Sequence, residues 1–322
     1  MTSSDRKTWR YADTYEYLEA VRAGLPPVMI CIACNGGVQG KEYNPNLPET
    51  ADEIADSVFA AYQAGASMVH VHARNPRDHT KGATRTEDWL EVNRKIRERC
   101  PDIIINNTTG GDYHMTMEER LSCLPAKPEV ASLNLTPDMA KFRLKARSAP
   151  LPFPRPELEI DACMPFTYGL VSKFARALRD HGVRAEIETY HPGGAWVIRD
   201  LIQQDLIDSP YFIQTVMGVQ TTSYATPEHL LQLLRDLPDD TVWLCSGIGP
   251  YQLNMVTMAL LMGGHARVGL EDNVYYRRGE LLQSNAQAVQ RVARIANELN
   301  RAIATPAQAR ALIGVSSRPS QY

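Results

Sequence analysis

One count constrains this chain more than any other feature. Short β-forming runs recur eight times, and amphipathic stretches fill most of the gaps between them. The runs are VMICIAC (28–34), SMVHVHA (67–73), DIIINN (102–107), VASLNL (130–135), VRAEIET (183–189), YFIQTVMG (211–218), TVWLCSG (241–247) and ARVGLED (266–272). Each is rich in Val, Ile or other β-formers and is bounded by Gly, Pro, Asp or Asn. The stretch 50–66 opens on Thr50 with Glu53 three residues on, a capping pattern, and stops at Gly65. The stretch 86–100 sets Trp89, Leu90, Val92 and Ile96 at helical spacing, and 170–182 ends on a basic turn and Gly182. Further helices are expected over 195–206, 227–236, 251–262 and 280–300. Strands alternating with helices predict a parallel sheet with crossover connections, and eight such units are what closes a (β/α)8 TIM barrel. An open doubly wound sheet is the competitor. It would usually carry a glycine-rich dinucleotide turn after the first strand, and Asn35-Gly36-Gly37 lacks that spacing.

Two segments fall outside the repeat. Residues 1–27 read as an N-terminal arm with a short helix in YADTYEYLEAVRAG, and 144–169, rich in Pro and Arg, as a long insertion after strand four. The remainder, 28–322, reads as a single barrel domain. Long extensions on a compact domain are usually functional or lie at an interface, so a homo-oligomer is expected. With 34 basic and 37 acidic side chains and a net charge of −3, nothing favours nucleic acid, which selects a basic face. The N-terminus is polar and charged, and no apolar run approaches the roughly 20 residues that span a bilayer. A cytoplasmic protein with no membrane partner is expected. Of the cysteines (31, 34, 100, 123, 163, 245), only Cys31 and Cys34 are close, on opposite faces of a strand, with no second pair to complete a zinc knuckle. All read as small buried hydrophobes in a reducing compartment.

The sharpest chemical signal is Val69-His70-Val71-His72-Ala73-Arg74. In a strand the two histidines share one face and the valines the other. Branched valines suit the helix-packed outside, which turns both imidazoles into the barrel, at the C-terminal strand end where barrel active sites form. Two such imidazoles suit a zinc-like ion, which needs at least one further ligand. The last strand offers Glu271 in Arg267-Val268-Gly269-Leu270-Glu271-Asp272, and strands two and eight both flank strand one. Glu186 and Glu188 share a face of strand five. Two inward carboxylates are expensive unless paired, for instance with Arg267, or catalytic. Strand three runs into Thr108-Thr109-Gly110-Gly111, whose hydroxyls and amides suit a carboxylate or phosphate.

With these residues in hand, the chain resembles the β-keto acid cleavage enzymes from about residue 28 to 313. The resemblance rests on NGGVQGKEYNPNLPETADEIA, GASMVHVHARNP, NNTTGGDYHMTMEERL, KPEVASLNL, AEIETY, GGHARVGLEDNVYYRRGELLQSNAQAV and IATPAQARALIG. It implies Zn2+ on His70, His72 and Glu271. It also implies a reaction in which a β-keto acid and acetyl-CoA give acetoacetate and a new CoA thioester. The ion would hold the keto acid by its carbonyl and carboxylate. A base would then form an enolate that attacks the thioester, and CoA transfer and retro-Claisen cleavage would follow. Arg267, Asp272 and one of Glu186 or Glu188 match the family's proton-transfer and charge-relay positions, and Thr108 a substrate-binding hydroxyl. Thr109, Gly110, Asn134 and Val38 complete the expected substrate-binding set. In the aminohexanoate-specific member a glutamate stands at the position of Val38 and recognises the amino group. Valine there predicts a β-keto acid other than the amino-keto acid.

On a straight strand, Arg267 lies roughly 13 Å below Glu271, and Asp272 points away from the pore. Two other functions compete with this reading. A zinc hydrolase of amidohydrolase type would carry its HxH on the first strand and further histidines on later ones, a placement that His79, His114, His181, His191, His229 and His265 lack. A non-catalytic metal-binding barrel would be marked by loss of ligands, yet all three are present.

Overall fold

The structure is a computed structural model that describes residues 14–112 and 115–322. All eight expected strands form: Ile30–Ala33, Met68–Val71, Ile104–Asn107, Val130–Asn134, Arg184–Thr189, Tyr211–Met217, Thr241–Gly247 and His265–Val268. They close into one barrel with every neighbouring pair parallel, strand eight beside strand one and strand one beside strand two. This is the expected (β/α)8 barrel.

Alternation along each strand builds two cores. Outward-facing Ile30, Ile32, Val69, Val71, Ile105, Leu133 and Ile187 pack under the helices. Inward-facing Cys31, Met68, Ile104, Val130, Phe212 and Leu244 fill the lower barrel, which the C-terminal helix Pro306–Ile313 plugs with Ala309 and Ile313. One pleat further up, the inward positions become His70, Asn106, Ser132, Glu186, Gln214 and Arg267, all buried. The switch from apolar to ionisable along the same face puts the reactive groups at the C-terminal mouth. Thr50 and Glu53 form the expected capping box on Ala51–Gln63, and Gly65 and Gly182 take positive φ where their helices were expected to stop.

Several expectations need correction. The insertion is an ordered ribbon and begins earlier: Asp138–Leu144 pairs antiparallel with Leu158–Met164 in unbroken register. Its tip is tied to the loop after strand one, because Arg147 Nη1 donates to Glu42 and Glu49 at 2.8 Å each and Arg155 Nη2 to Glu42 at 2.9 Å. Leu90 is exposed while Trp89, Val92 and Ile96 are buried. The helix expected from 280 begins at Asn285, since Glu280–Leu281 pairs with Tyr275–Arg277. Cys163, on the ribbon, is exposed, unlike the other cysteines. Of the N-terminal arm, Thr14–Ala23 is a helix with no buried residue, and the first thirteen residues lie outside the described part. Among the described residues no helix is long and apolar enough to cross a membrane.

The last strand also differs: it ends at Val268, so 269–272 is a turn. Gly269 has φ +143°, and a Cβ there would lie 2.1 Å from the Ala33 carbonyl oxygen, so glycine alone permits this crossing. The turn is pinned by Glu271 N–H donating to Ala33 O (3.2 Å) and by Gln39 Nε2 donating to the Leu270 and Glu271 carbonyls.

Candidate active site

Three expected ligands meet at the barrel mouth. His70 Nε2 and His72 Nε2 are 3.4 Å apart, and Glu271 Oε1 is 3.6 Å from the first and 3.2 Å from the second. Tetrahedral coordination at bond lengths of about 2.0–2.1 Å separates neighbouring ligand atoms by about 3.3 Å. The triangle therefore has the size of one face of a zinc tetrahedron. Glu271 Oε2 and His70 Nδ1 are buried without a hydrogen-bond partner, and Glu186 Oε2 lies 3.6 Å from that Nδ1. A carboxylate behind the far nitrogen of an imidazole is the usual support of a metal-binding histidine.

The loop after strand one fits closely over this triangle. A Cβ at Gly36 (φ +67°) would meet Glu271 Cγ at 2.9 Å, and one at Gly37 would meet His72 Nδ1 at 2.9 Å. Asn35 continues the sheet by its side chain, donating to His72 O (2.7 Å) and accepting from His72 N (3.1 Å), which holds His72 beyond the strand end. Buried Arg74 donates to the Gln39 carbonyl at 2.7 Å and keeps the loop in place.

Beside the triangle, Arg267 is surrounded by carboxylates. Its Nε and Nη2 donate to Asp272 at 3.1 and 3.0 Å, Nη2 also to Glu271 Oε1 at 2.7 Å, and Nη1 lies 3.5 Å from Glu188. With its amide turned to suit both neighbours, Gln214 links Arg267 Nη1 to Glu186. Four carboxylates (186, 188, 271, 272) around one guanidinium leave an excess of buried negative charge. Such an excess is neutralised by protons or a cation. Burial pushes the Glu188 carboxyl up to about 7 against the pull of Arg267, with Glu186 reinforcing the rise. Burial likewise outweighs Arg267 at Asp272 and raises it. At Glu271 burial is overcome by Arg267 and the two imidazoles, which hold that carboxyl well below its ordinary range. Burial keeps His72 low and so neutral, the form that coordinates.

These groups open into a cleft of ≈ 270 Å³. The sequence-expected residues His70, His72, Thr108, Gly110, Asn134, Val38, Glu188, Arg267, Glu271 and Asp272 all line it. Two do not. Glu186 sits beneath, accepting from Asn106 Nδ2 at 2.7 Å, and Thr109 is turned into the wall, its hydroxyl donating to Ser132 O and its N–H to Ser132 Oγ. Both threonines lie just past the end of strand three, where Thr108 faces the cleft and Thr109 is bonded to strand four. Sequence reasoning missed Asn35, Arg74, Asn106, Gln214 and Tyr190. Tyr190 donates to Glu188 Oε2 at 2.9 Å and accepts from Asn134 Nδ2 at 2.9 Å. Asn106 and Gln214 were in principle legible as polar residues at inward strand positions.

The profile of the family described as beta-keto acid cleavage enzyme matches residues 27–315. The chain belongs to that family. Among its relatives, the 3-keto-5-aminohexanoate cleavage enzyme of Fusobacterium nucleatum is 35% identical over 90% of this chain and 99% of its own length. The 3-oxoadipate:acetyl-CoA acetyltransferase of Cupriavidus necator is 33% identical, covering 90% and 96%. A solved binary complex of ObcA with oxaloacetate superposes with a TM-score of 0.67 at 18% identity, over 84% of this chain and 68% of that one, a likeness of fold. For a member of this family, the three-ligand triangle and the Arg267 cluster stand at the mouth where a barrel enzyme works.

Proposed function

We propose that this chain condenses a β-keto acid with acetyl-CoA, releasing acetoacetate and a new CoA thioester, at a zinc site held by His70, His72 and Glu271. The observation that carries the reading is the triangle of 3.2–3.6 Å between ligand atoms, set directly against the Arg267–Asp272 pair. When bound, the ion supplies Lewis acidity toward the carbonyl and carboxylate of the keto acid.

The chain's own residues do the rest. Asp272, raised by burial and aimed by two bonds from Arg267, takes the proton from the carbon between carbonyl and carboxylate. The guanidinium offsets the charge of the resulting enolate. That carbon attacks the acetyl thioester carbonyl and CoA thiolate departs. The thiolate then attacks the original keto carbon, the bond to the α-carbon breaks, and the departing acetoacetate enolate recovers its proton from Asp272. Glu188, with a carboxyl near neutrality and Tyr190 donating to it, is the second proton carrier of the cleft. Glu186 lies beneath and orients His70. Thr108 Oγ1 accepts from Gly110 N at 2.9 Å, which leaves its own hydrogen to donate to a substrate oxygen. Among the described residues no third imidazole lines the cleft, so nothing favours the hydrolase reading.

With Val38 lining the cleft, an ammonium tail finds no counter-charge at that position, so the amino-keto acid is a poor fit. We take 28–322 as one catalytic domain, and the arm and ribbon as subunit contacts of a cytoplasmic homo-oligomer; a monomeric mass by light scattering would remove that last reading. The reaction is tested by metal analysis of the purified protein followed by an acetyl-CoA assay against a panel of β-keto acids. About one zinc per chain and acetyl-CoA-dependent acetoacetate formation are expected; a metal-free protein inert toward the whole panel contradicts the proposal.

A further inference from the structure

Asp112 and Asp138 both line the cleft without a part in this chemistry, but Asp112 accepts from Gly82 N and Met115 N. Asp138 lies beside Asn134, Met164 and Tyr190. It is the first residue of the ribbon strand Asp138–Leu144 and pairs in register with Met164, at the point where the ribbon leaves the barrel. Burial raises this carboxyl against the pull of its own backbone N–H and of Arg120. Structural carboxylates elsewhere in the chain are heavily paired: Glu129 accepts from Arg97, Arg310, Ile105 N and Ser320 N.

A second acceptor stands nearby. Glu188 takes the hydrogen of the Tyr190 hydroxyl, so the tyrosine oxygen accepts from Asn134 Nδ2. That fixes the amide with Asn134 Oδ1 buried and without a partner. The ribbon side of the cleft thus offers acceptors and spends its donors inward. Such acceptors are costly to desolvate unless the ligand brings an N–H or O–H. Much of the remaining lining, Val38, Val216, Val219 and Ile248, is apolar and suits hydrocarbon.

Resting on the reading that this is a β-keto acid cleavage site, we propose that Asp138 determines specificity by accepting a hydrogen bond from the substrate's tail. The substrate class is then β-keto acids that carry a hydroxyl or ammonium group beyond the keto carbon, and dicarboxylate tails are repelled. Val38, which supplies no counter-charge, favours the hydroxyl.

The test uses the full-length, metal-loaded protein and kcat/KM with acetyl-CoA for 3-oxohexanoate, its 5-hydroxy and 5-amino derivatives, and 3-oxoadipate. Wild type is expected to favour a donor-bearing acid over 3-oxohexanoate by about tenfold, the size of one hydrogen bond to a charged group, and to disfavour 3-oxoadipate. A preferred hydroxy acid identifies a neutral donor; a preferred amino acid keeps the role of Asp138 but defeats the reading of Val38. In Asp138→Ala the donor preference is expected to shrink to about twofold or less and discrimination against 3-oxoadipate to weaken. Asp138→Asn, which keeps shape and an acceptor but not the charge, should retain part of the hydroxyl preference. Acetyl-CoA consumption without donor preference, or a preference unchanged in Asp138→Ala, overturns the role of Asp138 and leaves the reaction standing. No consumption with any acid overturns both.

Discussion

Arg267 and Asp272, five positions apart, meet in a two-point pair, Nε to Oδ2 at 3.1 Å and Nη2 to Oδ1 at 3.0 Å. Strand eight stops at Val268 and Gly269 folds the chain across Ala33, which brings Asp272 back over the pore. A straight strand would have sent that carboxylate outward and left Glu271 roughly 13 Å above Arg267. The turn is what lets one guanidinium serve both.

That pair is expected to be needed for turnover rather than for the metal. Asp272→Asn should keep zinc and lose kcat by about 10²-fold or more, since it removes a positioned base. Arg267→Lys should fall comparably, because an ammonium cannot reproduce the two-point fork. Arg267→Ala leaves several buried carboxylates unpaired and should also destabilise the fold by about 3–5 kcal/mol. Steady-state kinetics with metal content and chemical denaturation separate these effects. A kcat within a few-fold of wild type in Asp272→Asn would remove its role as base.

The ligand set makes its own demand. His70→Ala/His72→Ala should bind no stoichiometric zinc after dialysis, and a chelator should abolish wild-type activity that added zinc restores. Elemental analysis decides it: full occupancy in the double variant would place the ion elsewhere.

Position 38 should tune the charge of the accepted tail. Wild type is expected to turn over an uncharged β-keto acid at least about tenfold better than 3-keto-5-aminohexanoate, a gap of only about 1.4 kcal/mol. Val38→Glu should shift the ratio toward the amino acid. Glu42, in the same loop, is no substitute, because Arg147 and Arg155 hold it at 2.8 and 2.9 Å. A wild type that prefers the amino-keto acid, measured as kcat/KM, would defeat this assignment.

Stability should carry an acid signature from His265. Burial, reinforced by Arg301, pulls this imidazole down to about 3, and its Nδ1 accepts the Met29 N–H at 3.1 Å. An unfolded histidine titrates near 6.5. Between those values the unfolded chain binds one more proton, so stability falls as pH falls, by about 1.4 kcal/mol per unit; above pH 6.5 the contribution is complete. His265→Gln keeps an acceptor and removes the titration. Its denaturation free energy should therefore fall less steeply from pH 6 to 4 than that of wild type. Parallel curves would show that His265 is not the group responsible.

Much of the architecture was legible in the sequence because barrel strands are written twice, in composition and in alternation. Val69 and Val71 against His70 and His72 state which face meets the helices, and that periodicity holds for as long as the backbone stays extended. The Pro-rich segment hid the ribbon, since Pro150, Pro152 and Pro154 mark the tip, while the alternation of Met139, Lys141 and Arg143 with Ala140 and Phe142 was the strand signal passed over. The clamp of Arg97 and Arg310 on Glu129 was out of reach, joining positions 32 and 181 residues apart.

The sequence by itself determined the barrel, the end of it that carries chemistry, and the three side chains fit to hold a metal. The barrel, its reactive end and the two histidines follow from local period and residue type, whereas Glu271 meets them through the turn at Gly269 and the closure of the barrel. Tertiary structure decided which carboxylate faces the cleft. Glu186 and Glu188 share a strand face, yet one lies under His70 and the other opens beside Tyr190, a difference of depth that period two does not encode. It also decided that Asp272 faces inward, because that depends on the Gly269 backbone meeting Ala33 on a strand joined to it only by closure of the barrel.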